Sequence, residues 1–285
     1  MKLIFVHGRS QGDKDPIALK QTWEESFDRG LQNIGLSRPS GLQIALPFYG
    51  KTLDDLVEQL EAPLIADVAE KGAAQDDGEA SFRGEFLQEI ADANNITDEQ
   101  IEEFFDEDIQ EKGVLNWKWV HAILKALDKN KNLGDVVLDT FTRDVYVYLT
   151  NPGVRQRINA IVAAELTDEP CVVVGHSLGS IVAYNVLRSH PYPARYITLG
   201  SPLGTKAVKN RLQIVEMPAT TSSWDNARDP HDVVALFPLD AEHFATNPAI
   251  ENNNNVDNRT DNQHGIVGYL PDTWVTTSIY KALMA

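Results

Sequence analysis

Cysteine is nearly absent from this sequence, and basic residues are outnumbered by acidic ones. The single cysteine, Cys171, excludes a disulfide framework within the chain, and its apolar neighbours indicate a small buried side chain. Lysine and arginine number 25 against 42 aspartates and glutamates, for a formal net charge of −17. Because binding to phosphate requires clustered positive charge, this balance argues against a nucleic-acid partner and against adsorption to an anionic membrane.

Long hydrophobic runs are also lacking. No stretch approaches the roughly 20 apolar residues that a membrane-spanning helix needs. The apolar run at residues 3–6 is too short for the core of a signal peptide. We therefore expect a cytoplasmic protein without stable membrane association. Its 285 residues suit one elaborated domain, or a core domain with an insertion.

The most informative stretch, residues 171–187, predicts a strand, a sharp turn and a helix. It opens on four apolar residues and closes on apolar residues at helical spacing. Between them, Gly175, Ser177 and Gly179 form the G-x-S-x-G pattern of a nucleophile elbow. In this turn the serine has a strained backbone and an exposed hydroxyl, and a side chain at either glycine would crowd the turn. Alone, the pattern also occurs by chance in ordinary turns.

The order of the other predicted elements favours an α/β fold. The continuous apolar run at 3–6 is typical of a strand buried on both faces. Residues 15–36 carry an apolar face at helical spacing that includes Ile17, and residues 42–50 predict a second strand. Strand, helix and strand in this order form a right-handed parallel crossover. Later segments predict two strands, an Asn-rich loop and a final helix, at residues 195–199, 221–227, 251–264 and 273–283.

Residues 51–135 break this rhythm, because they are helical in pattern, strongly acidic and without a strand pattern. Within them Thr97 and Gln100 predict a capping box at the start of a helix. We interpret 51–135 as a helical cap inserted into a core formed by residues 1–50 and 136–285. The core resumes with a long predicted helix over 141–166, with a candidate break at Pro152.

A catalytic serine needs partners, because its hydroxyl is a weak nucleophile near neutral pH. On sheets of this kind the partners follow in the order serine, acid, histidine. Of the seven histidines, only His264 combines this order with a loop long enough to reach the top of the sheet. Asp229 and Asp232 are both candidates for the acid, and the apolar pair that follows Asp232 favours it over Asp229.

Acyl transfer also requires hydrogen-bond donors directed at the developing oxyanion. The backbone N–H of Leu178, which follows the nucleophile, is one candidate. The second candidate is the N–H of Arg9, in the loop after the first strand. These two amides are the predicted oxyanion hole.

Four further residues are candidates for substrate binding. His7 and Ser10 lie in the loop after the first strand, where α/β sheets place their ligands. His7 is at the same time a candidate for ordering that loop. Phe48 and Tyr49 end the second predicted strand and would form the edge of a pocket.

Two groups of residues imitate metal sites. The first follows the spacing of a calcium loop, but its sixth position is Leu133 where glycine is required, and its twelfth is Asp139 where glutamate is usual. The second would be a hydrolytic metal site, and its spacing matches no known arrangement; it comprises Asp229, His231, Asp232 and His243. We therefore expect no metal and no cofactor.

Together, several motifs resemble the α/β-hydrolase superfamily, in its bacterial lipase- and esterase-like branch. They are FVHG at 5–8, GHSLG at 175–179, TLGSPL at 198–203, and His264 followed by Tyr269 and Leu270. The resemblance covers about residues 1–50 and 140–285. It implies an α/β-hydrolase fold with a mostly parallel sheet that lacks the family's first two strands. The acidic segment 51–135 is unlike the lids of that family.

The resemblance implies a serine hydrolase with Ser177, an aspartate and His264 as its triad. Our leading hypothesis is cleavage of a carboxylic ester through an acyl-enzyme intermediate. A small soluble ester is favoured over a lipid surface, because the cap interleaves apolar residues with carboxylates. Thioesters and amides are cleaved by the same machinery. The alternative is a retired hydrolase scaffold that acts as a binding or effector module.

Overall fold

The computed structural model describes residues 1–9, 11–71, 77–104, 117–131, 135–189, 192–212, 214–260 and 263–285. Ser10, a predicted substrate contact, lies outside these ranges. Leu133 of the calcium-like segment also lies outside them. Among the helices of the described ranges, none is long and apolar enough to cross a membrane.

The described residues form an α/β fold around one six-stranded sheet in which every pair of neighbouring strands is parallel. Its strands, in chain order, are β1 (Lys2–Val6), β2 (Gln43–Ala45), β3 (Cys171–His176), β4 (Ala194–Leu199), β5 (Thr221–Ala227) and β6 (Glu251–Asn253). Their spatial order is β2-β1-β3-β4-β5-β6. The α/β class and the parallel pairing predicted from the sequence are confirmed.

The strand order changes direction between β1 and β3. From β1 the chain moves outward to β2, and it then returns to the other side of β1 to form β3. In open parallel sheets, the crevice at the carboxyl ends of two such strands is the usual ligand site. Val6 pairs with Gly175 at this end, so the loop after β1 and the turn after β3 are neighbours.

Eleven α-helices occupy the described ranges. They are α1 (Pro16–Asn33), α2 (Gly50–Lys71), α3 (Asp77–Ala93), α4 (Asp98–Glu102), α5 (Trp117–Lys131), α6 (Asp135–Thr150), α7 (Pro152–Ala163), α8 (Leu178–Ser189), α9 (Lys206–Lys209), α10 (Ile266–Tyr269) and α11 (Thr273–Met284). Within the same ranges, a 3-10 turn covers Pro202–Gly204.

The main hydrophobic core lies between the sheet and the helices α1 and α11. Alternate residues of the central strands point into it, among them Phe5 and Val174, because side chains of a strand alternate between its faces. Phe27 of α1 and Ile279 of α11 meet them there, and both are fully buried. On the opposite face Tyr196 donates its hydroxyl to a carbonyl of α8. The central strands are thus buried on both faces, as continuous apolar runs predict.

The described contacts divide the chain into two units. Unit 1 comprises Met1–Leu53, Arg155–Gly204 and Gln213–Ala285, and it contains the sheet. Unit 2 comprises Asp54–Val154 and Thr205–Leu212.

Unit 2 is helical in its described part. Its α3 packs against α5, α6 and α9. Phe86 of α3 lies 5.6 Å from Phe141 of α6, measured between ring centroids. Glu89 accepts two backbone N–H groups of the first turn of α9, at 2.9 Å each. These contacts place α6 in unit 2, whereas the sequence boundary at residue 136 assigned it to the core.

Several local predictions are confirmed. Thr97 and Gln100 form the reciprocal capping box. The helix break is real, because α6 ends at Thr150 and α7 begins at Pro152. Asn151 between them accepts the N–H groups of residues 153 and 154, and proline suits the first position of the second helix.

Two local predictions are wrong. Ile17 is 77% exposed, because it lies two residues before Leu19 and hence about 200° around the helix from the buried stripe. The Asn-rich segment after residue 250 begins with β6, which pairs with β5. A short, polar strand at the edge of a sheet carries no apolar alternation that would reveal it.

Phe27→Ala should lower the free energy of unfolding by about 3–5 kcal/mol, because it removes a fully buried ring that contacts Phe5 and leaves a cavity. Ile17→Ala on the same helix is the matched control and should change it by less than about 0.5 kcal/mol. Urea unfolding followed by circular dichroism measures both. A similar loss for the two variants would contradict the assignment of the core face of α1.

Candidate active site

Ser177 is the single residue between β3 and α8, and its backbone is in the left-handed region with φ of 56°. This is the strained turn that the pattern predicts. The predicted exposure of its hydroxyl is wrong, because Ser177 is only 3% exposed and the loop at Gly8 lies against its side chain. Its N–H donates to the carbonyl of Leu199 at 3.1 Å, which ties the turn to the end of β4. A Cβ at Gly179 would lie 2.1 Å from the carbonyl oxygen of Val6, so only glycine allows α8 to approach β1 this closely.

The loop after β1 lies directly against the serine. A Cβ at Gly8 would be 2.9 Å from the Cβ of Ser177 and 3.3 Å from its Oγ. Arg9 follows in the same loop. Leu178 is the first residue of α8, a position whose N–H has no acceptor inside the helix. Leu178 thus follows Ser177 directly in the chain, and Arg9 follows the glycine that lies against it. The role of both as oxyanion donors stays a prediction.

His7 is buried and neutral. Its Nδ1–H donates to the carbonyl of Gly8 at 2.6 Å, and its Nε2 accepts the N–H of Tyr49 at 3.1 Å. A carbonyl can only accept and an N–H can only donate, so these two bonds fix the neutral tautomer. Burial lowers the pKa of His7 to about 4, which keeps the ring uncharged near neutral pH.

Tyr49 and Phe48 pack around His7. The Tyr49 ring stacks on His7 with centroids 4.1 Å apart, and its hydroxyl donates to the His7 carbonyl. Phe48 is half-buried, with its ring 5.3 Å from His7. These contacts give His7 and Tyr49 a supporting role in the loop beside Ser177. Contact of the three side chains with a substrate stays a prediction.

Asp232 pairs with His264. Nδ1 of the histidine lies 2.7 Å from Oδ2 of the carboxylate, whose side chain is completely buried. Oδ1 accepts the N–H groups of Val234 and Ala235 at 2.9 and 3.3 Å. Burial alone would raise the pKa of Asp232, but the charge and hydrogen bond of His264, together with the other donors, outweigh it and lower the pKa below its usual range.

Asp229, the other candidate acid, has different partners. Its Oδ1 accepts the N–H of His231 at 2.7 Å, and its Oδ2 accepts the N–H of Asn258 at 2.6 Å. Both oxygens therefore hold backbone of the surrounding loops. The structure brings Asp232, and not Asp229, against His264.

His176 connects the base to the nucleophile. It is the residue before Ser177, and its Nε2–H donates to the carbonyl of His264 at 2.7 Å. The two imidazole rings lie 4.7 Å apart. Sequence reasoning gave His176 no catalytic significance, because the position is variable in the elbow pattern. The contact depends on a loop 88 residues later in the chain, which no local pattern signals.

Gly200 leaves the space that Asp232 and His264 occupy at the end of β4. It follows Leu199, whose carbonyl accepts the N–H of Ser177, and its φ of +56° favours glycine. A Cβ there would lie 3.1 Å from Oδ2 of Asp232 and 3.2 Å from Cε1 of His264. Asp232 and His264 thus lie against Gly200, one residue after the end of β4 that accepts the N–H of Ser177.

The two histidines of the alternative metal site pair with different aspartates. The imidazole of His231 is 71% exposed and pairs with Asp229, while that of His243 pairs with Asp240 at 2.9 Å. Among the described residues, no group of three or more histidine, cysteine, aspartate or glutamate side chains could hold a metal ion.

Comparison with known proteins adds no family. Searches against protein-family models and against curated proteins each returned no match. The functional argument therefore depends on the chemistry of the residues around Ser177.

The burial of His7 and His176 predicts that the free energy of unfolding falls in acid. Burial, together with the charge of His264, lowers the pKa of His176 to about 3, as burial lowers that of His7 to about 4. The unfolded chain binds these protons from about pH 6.5 downward, whereas the folded chain does not. Each histidine should therefore cost up to about 1.4 kcal/mol of stability per pH unit as the pH falls from about 6.5 towards its folded pKa.

Urea unfolding at a series of pH values measures this slope. His176→Asn should make it shallower between about pH 6 and pH 4. Ser189→Ala, at an exposed position of α8, removes no titratable group; it is the control and should leave the slope unchanged. An unchanged slope in His176→Asn would show that His176 accepts a proton in the folded protein.

Proposed function

We propose that this chain is a serine hydrolase of the α/β-hydrolase superfamily, with a sheet that lacks the family's first two strands, and that it cleaves carboxylic esters. Ser177 is the proposed nucleophile, His264 the base and Asp232 the acid that orients it. The pairing of His264 Nδ1 with Oδ2 of the buried Asp232 at 2.7 Å carries the proposal. It leaves Nε2 as the nitrogen that can exchange a proton with a substrate or a serine.

In the first half of the reaction, Oγ of Ser177 attacks the ester carbonyl carbon while Nε2 of His264 takes the hydroxyl proton. The carbonyl oxygen becomes an oxyanion, which the N–H groups of Arg9 and Leu178 would stabilise. When this intermediate collapses, the bond to the alkoxy oxygen breaks. His264 gives its proton to the departing alcohol, and the acyl group remains on Ser177.

In the second half, water replaces the alcohol. His264 takes a proton from the water as its oxygen attacks the acyl carbon, and the proton then passes to Oγ of Ser177 as the ester bond to the enzyme breaks. The carboxylic acid leaves, and the serine and histidine return to their starting states. The reaction consumes one water and needs no cofactor.

The charges around His264 suit this cycle. Asp232 has a lowered pKa and is therefore ionised at neutral pH, where it can stabilise the imidazolium that forms on His264. His176, whose ring lies beside that of His264, has a pKa of about 3 and stays neutral. It therefore adds no repulsive charge beside the imidazolium.

For the substrate, we propose a small ester in the cytoplasm rather than a lipid in a membrane or a nucleic acid. The net charge of −17 and the acidic segment 51–135 support this choice. A series of p-nitrophenyl esters of increasing acyl length tests it. Activity should be highest with short acyl chains, and a steep rise of activity at a lipid–water interface would instead indicate a lipase.

A fluorophosphonate probe should label the wild-type protein and fail to label Ser177→Ala, because only an activated serine displaces the fluoride. Ester hydrolysis in this variant should fall by about a millionfold. Ser189→Ala is the matched control, since Ser189 ends α8 and donates its hydroxyl to the carbonyl of Asn185. Intact-protein mass spectrometry measures the labelling.

Two outcomes of this experiment count against the proposal. Labelling that persists in Ser177→Ala would remove Ser177 as the nucleophile. A folded wild-type protein that takes up no probe and cleaves no ester would favour a binding module on a hydrolase scaffold.

Asp232→Asn should lower kcat by about ten-thousand-fold, because an amide would favour the wrong tautomer of His264. Asp229→Asn should lower it by about tenfold or less, since Asp229 binds loop backbone and not the base. Steady-state kinetics on one p-nitrophenyl ester compares the two. The reverse ranking would assign the acid to Asp229.

A further inference from the structure

We propose that Tyr269 is a positioning residue of this triad: its hydroxyl holds Oδ2 of Asp232 and thereby sets how strongly the carboxylate binds His264. This inference rests on the proposed serine hydrolase function. It adds to that function a residue that contacts the acid and not the reacting atoms.

The phenol has a defined direction. Its oxygen lies 2.7 Å from Oδ2 of Asp232 and 3.0 Å from the backbone N of Asp229. The N–H of Asp229 can only donate, so the phenol oxygen accepts there and its single proton points at the carboxylate. Tyr269 is fully buried, and burial raises the pKa of its phenol well above its usual value. The hydroxyl therefore stays protonated and remains a donor.

His264 and Tyr269 both donate to the same oxygen of Asp232. Oδ2 accepts the Nδ1–H of His264 and the hydroxyl of Tyr269, each at 2.7 Å. Oδ1 is occupied by the two backbone N–H groups after Asp232. A carboxylate held by two donors on each oxygen cannot rotate without losing bonds, so the orientation of Oδ2 towards His264 is fixed.

One short segment supplies both of these donors. His264 lies two residues before α10, and Tyr269 is the last residue of that helix. The ring of Tyr269 also packs against His176, with centroids 5.9 Å apart. A displacement of α10 would therefore move both hydrogen bonds to Oδ2 together, which makes Tyr269 the second anchor of the loop that carries the base.

The hydroxyl also tempers the charge on Asp232. A donor on Oδ2 disperses negative charge that would otherwise be available to His264. Without the Tyr269 hydroxyl, the carboxylate of Asp232 is harder to keep ionised. Its anion also binds the imidazolium of His264 more tightly. Both effects move the acid limb of the kcat/KM profile to higher pH. The titratable and charged groups near this carboxylate are His264, His176, Arg228, Asp229 and Tyr269.

Tyr269→Phe tests the inference directly. The acid limb of the kcat/KM profile should move up by about one pH unit, since a hydrogen bond to a charged group has about that effect. KM should change by less than about twofold, because Tyr269 does not contact the substrate. Tyr184→Phe is the matched control, since its hydroxyl binds backbone groups of residues 214 and 216. Its profile should match that of the wild type.

A second variant changes the donor without removing it. Site-specific replacement of Tyr269 by 3-fluorotyrosine makes the phenol a stronger donor, so the acid limb should move to lower pH. This variant keeps both hydrogen bonds and remains informative if Tyr269→Phe, which strips the N–H of Asp229 of its acceptor, does not fold. Profiles that match the wild type in the folded variants would overturn the inference.

A readout that does not need activity separates this inference from the proposed function. The Nδ1–H proton of His264 should give a low-field NMR resonance, and Tyr269→Phe should move it further downfield as the bond to Asp232 strengthens. The fluorotyrosine variant should move it upfield, and Tyr184→Phe should leave it in place. If the wild type cleaves no ester, the proposed function is wrong, but this resonance still tests the role of Tyr269. A resonance that does not move in Tyr269→Phe rejects that role.

Discussion

The site depends on one buried negative charge. A carboxylate taken out of water is costly unless hydrogen bonds compensate it, and Asp232 accepts four of them. These donors come from two segments at the carboxyl end of the sheet, the turn after Asp232 and the segment from His264 to Tyr269. The charge can therefore be accommodated only when the turn after β5 and the segment from His264 to Tyr269 are in place. The same hydrogen bonds thus stabilise the loops at the carboxyl end of the sheet and orient the base.

Buried neutral histidines complete this environment. His7 holds the loop after β1 beside Ser177, and His176 holds the carbonyl of His264. Their low pKa values keep His7 and His176 uncharged. In the proposed reaction, His264 is therefore the one of these three histidines that carries a proton. This arrangement lowers the stability of the fold in acid, because unfolding lets both rings accept protons.

Sequence reasoning reached the elements whose signal is local. The strand, turn and helix around Ser177 follow from apolar runs and two glycines, and the helix break follows from Pro152. It failed at β6, whose three polar residues join the sheet only because β5 offers a free edge. His176 and Tyr269 lie in motifs that the sequence shows, but their contacts were not predicted, because the partners lie 88 and 37 residues away in the chain and leave no local pattern.

The central claim is that Ser177 carries an acyl group during ester cleavage. Acid quenching of the protein during turnover of a p-nitrophenyl ester, followed by peptide mass spectrometry, tests it most directly. The account predicts an acyl group on the peptide that contains Ser177, and a burst of p-nitrophenol close to one equivalent of protein if release of the acid is slow. Ester cleavage with the acyl group on another side chain, or with none at all, would contradict it.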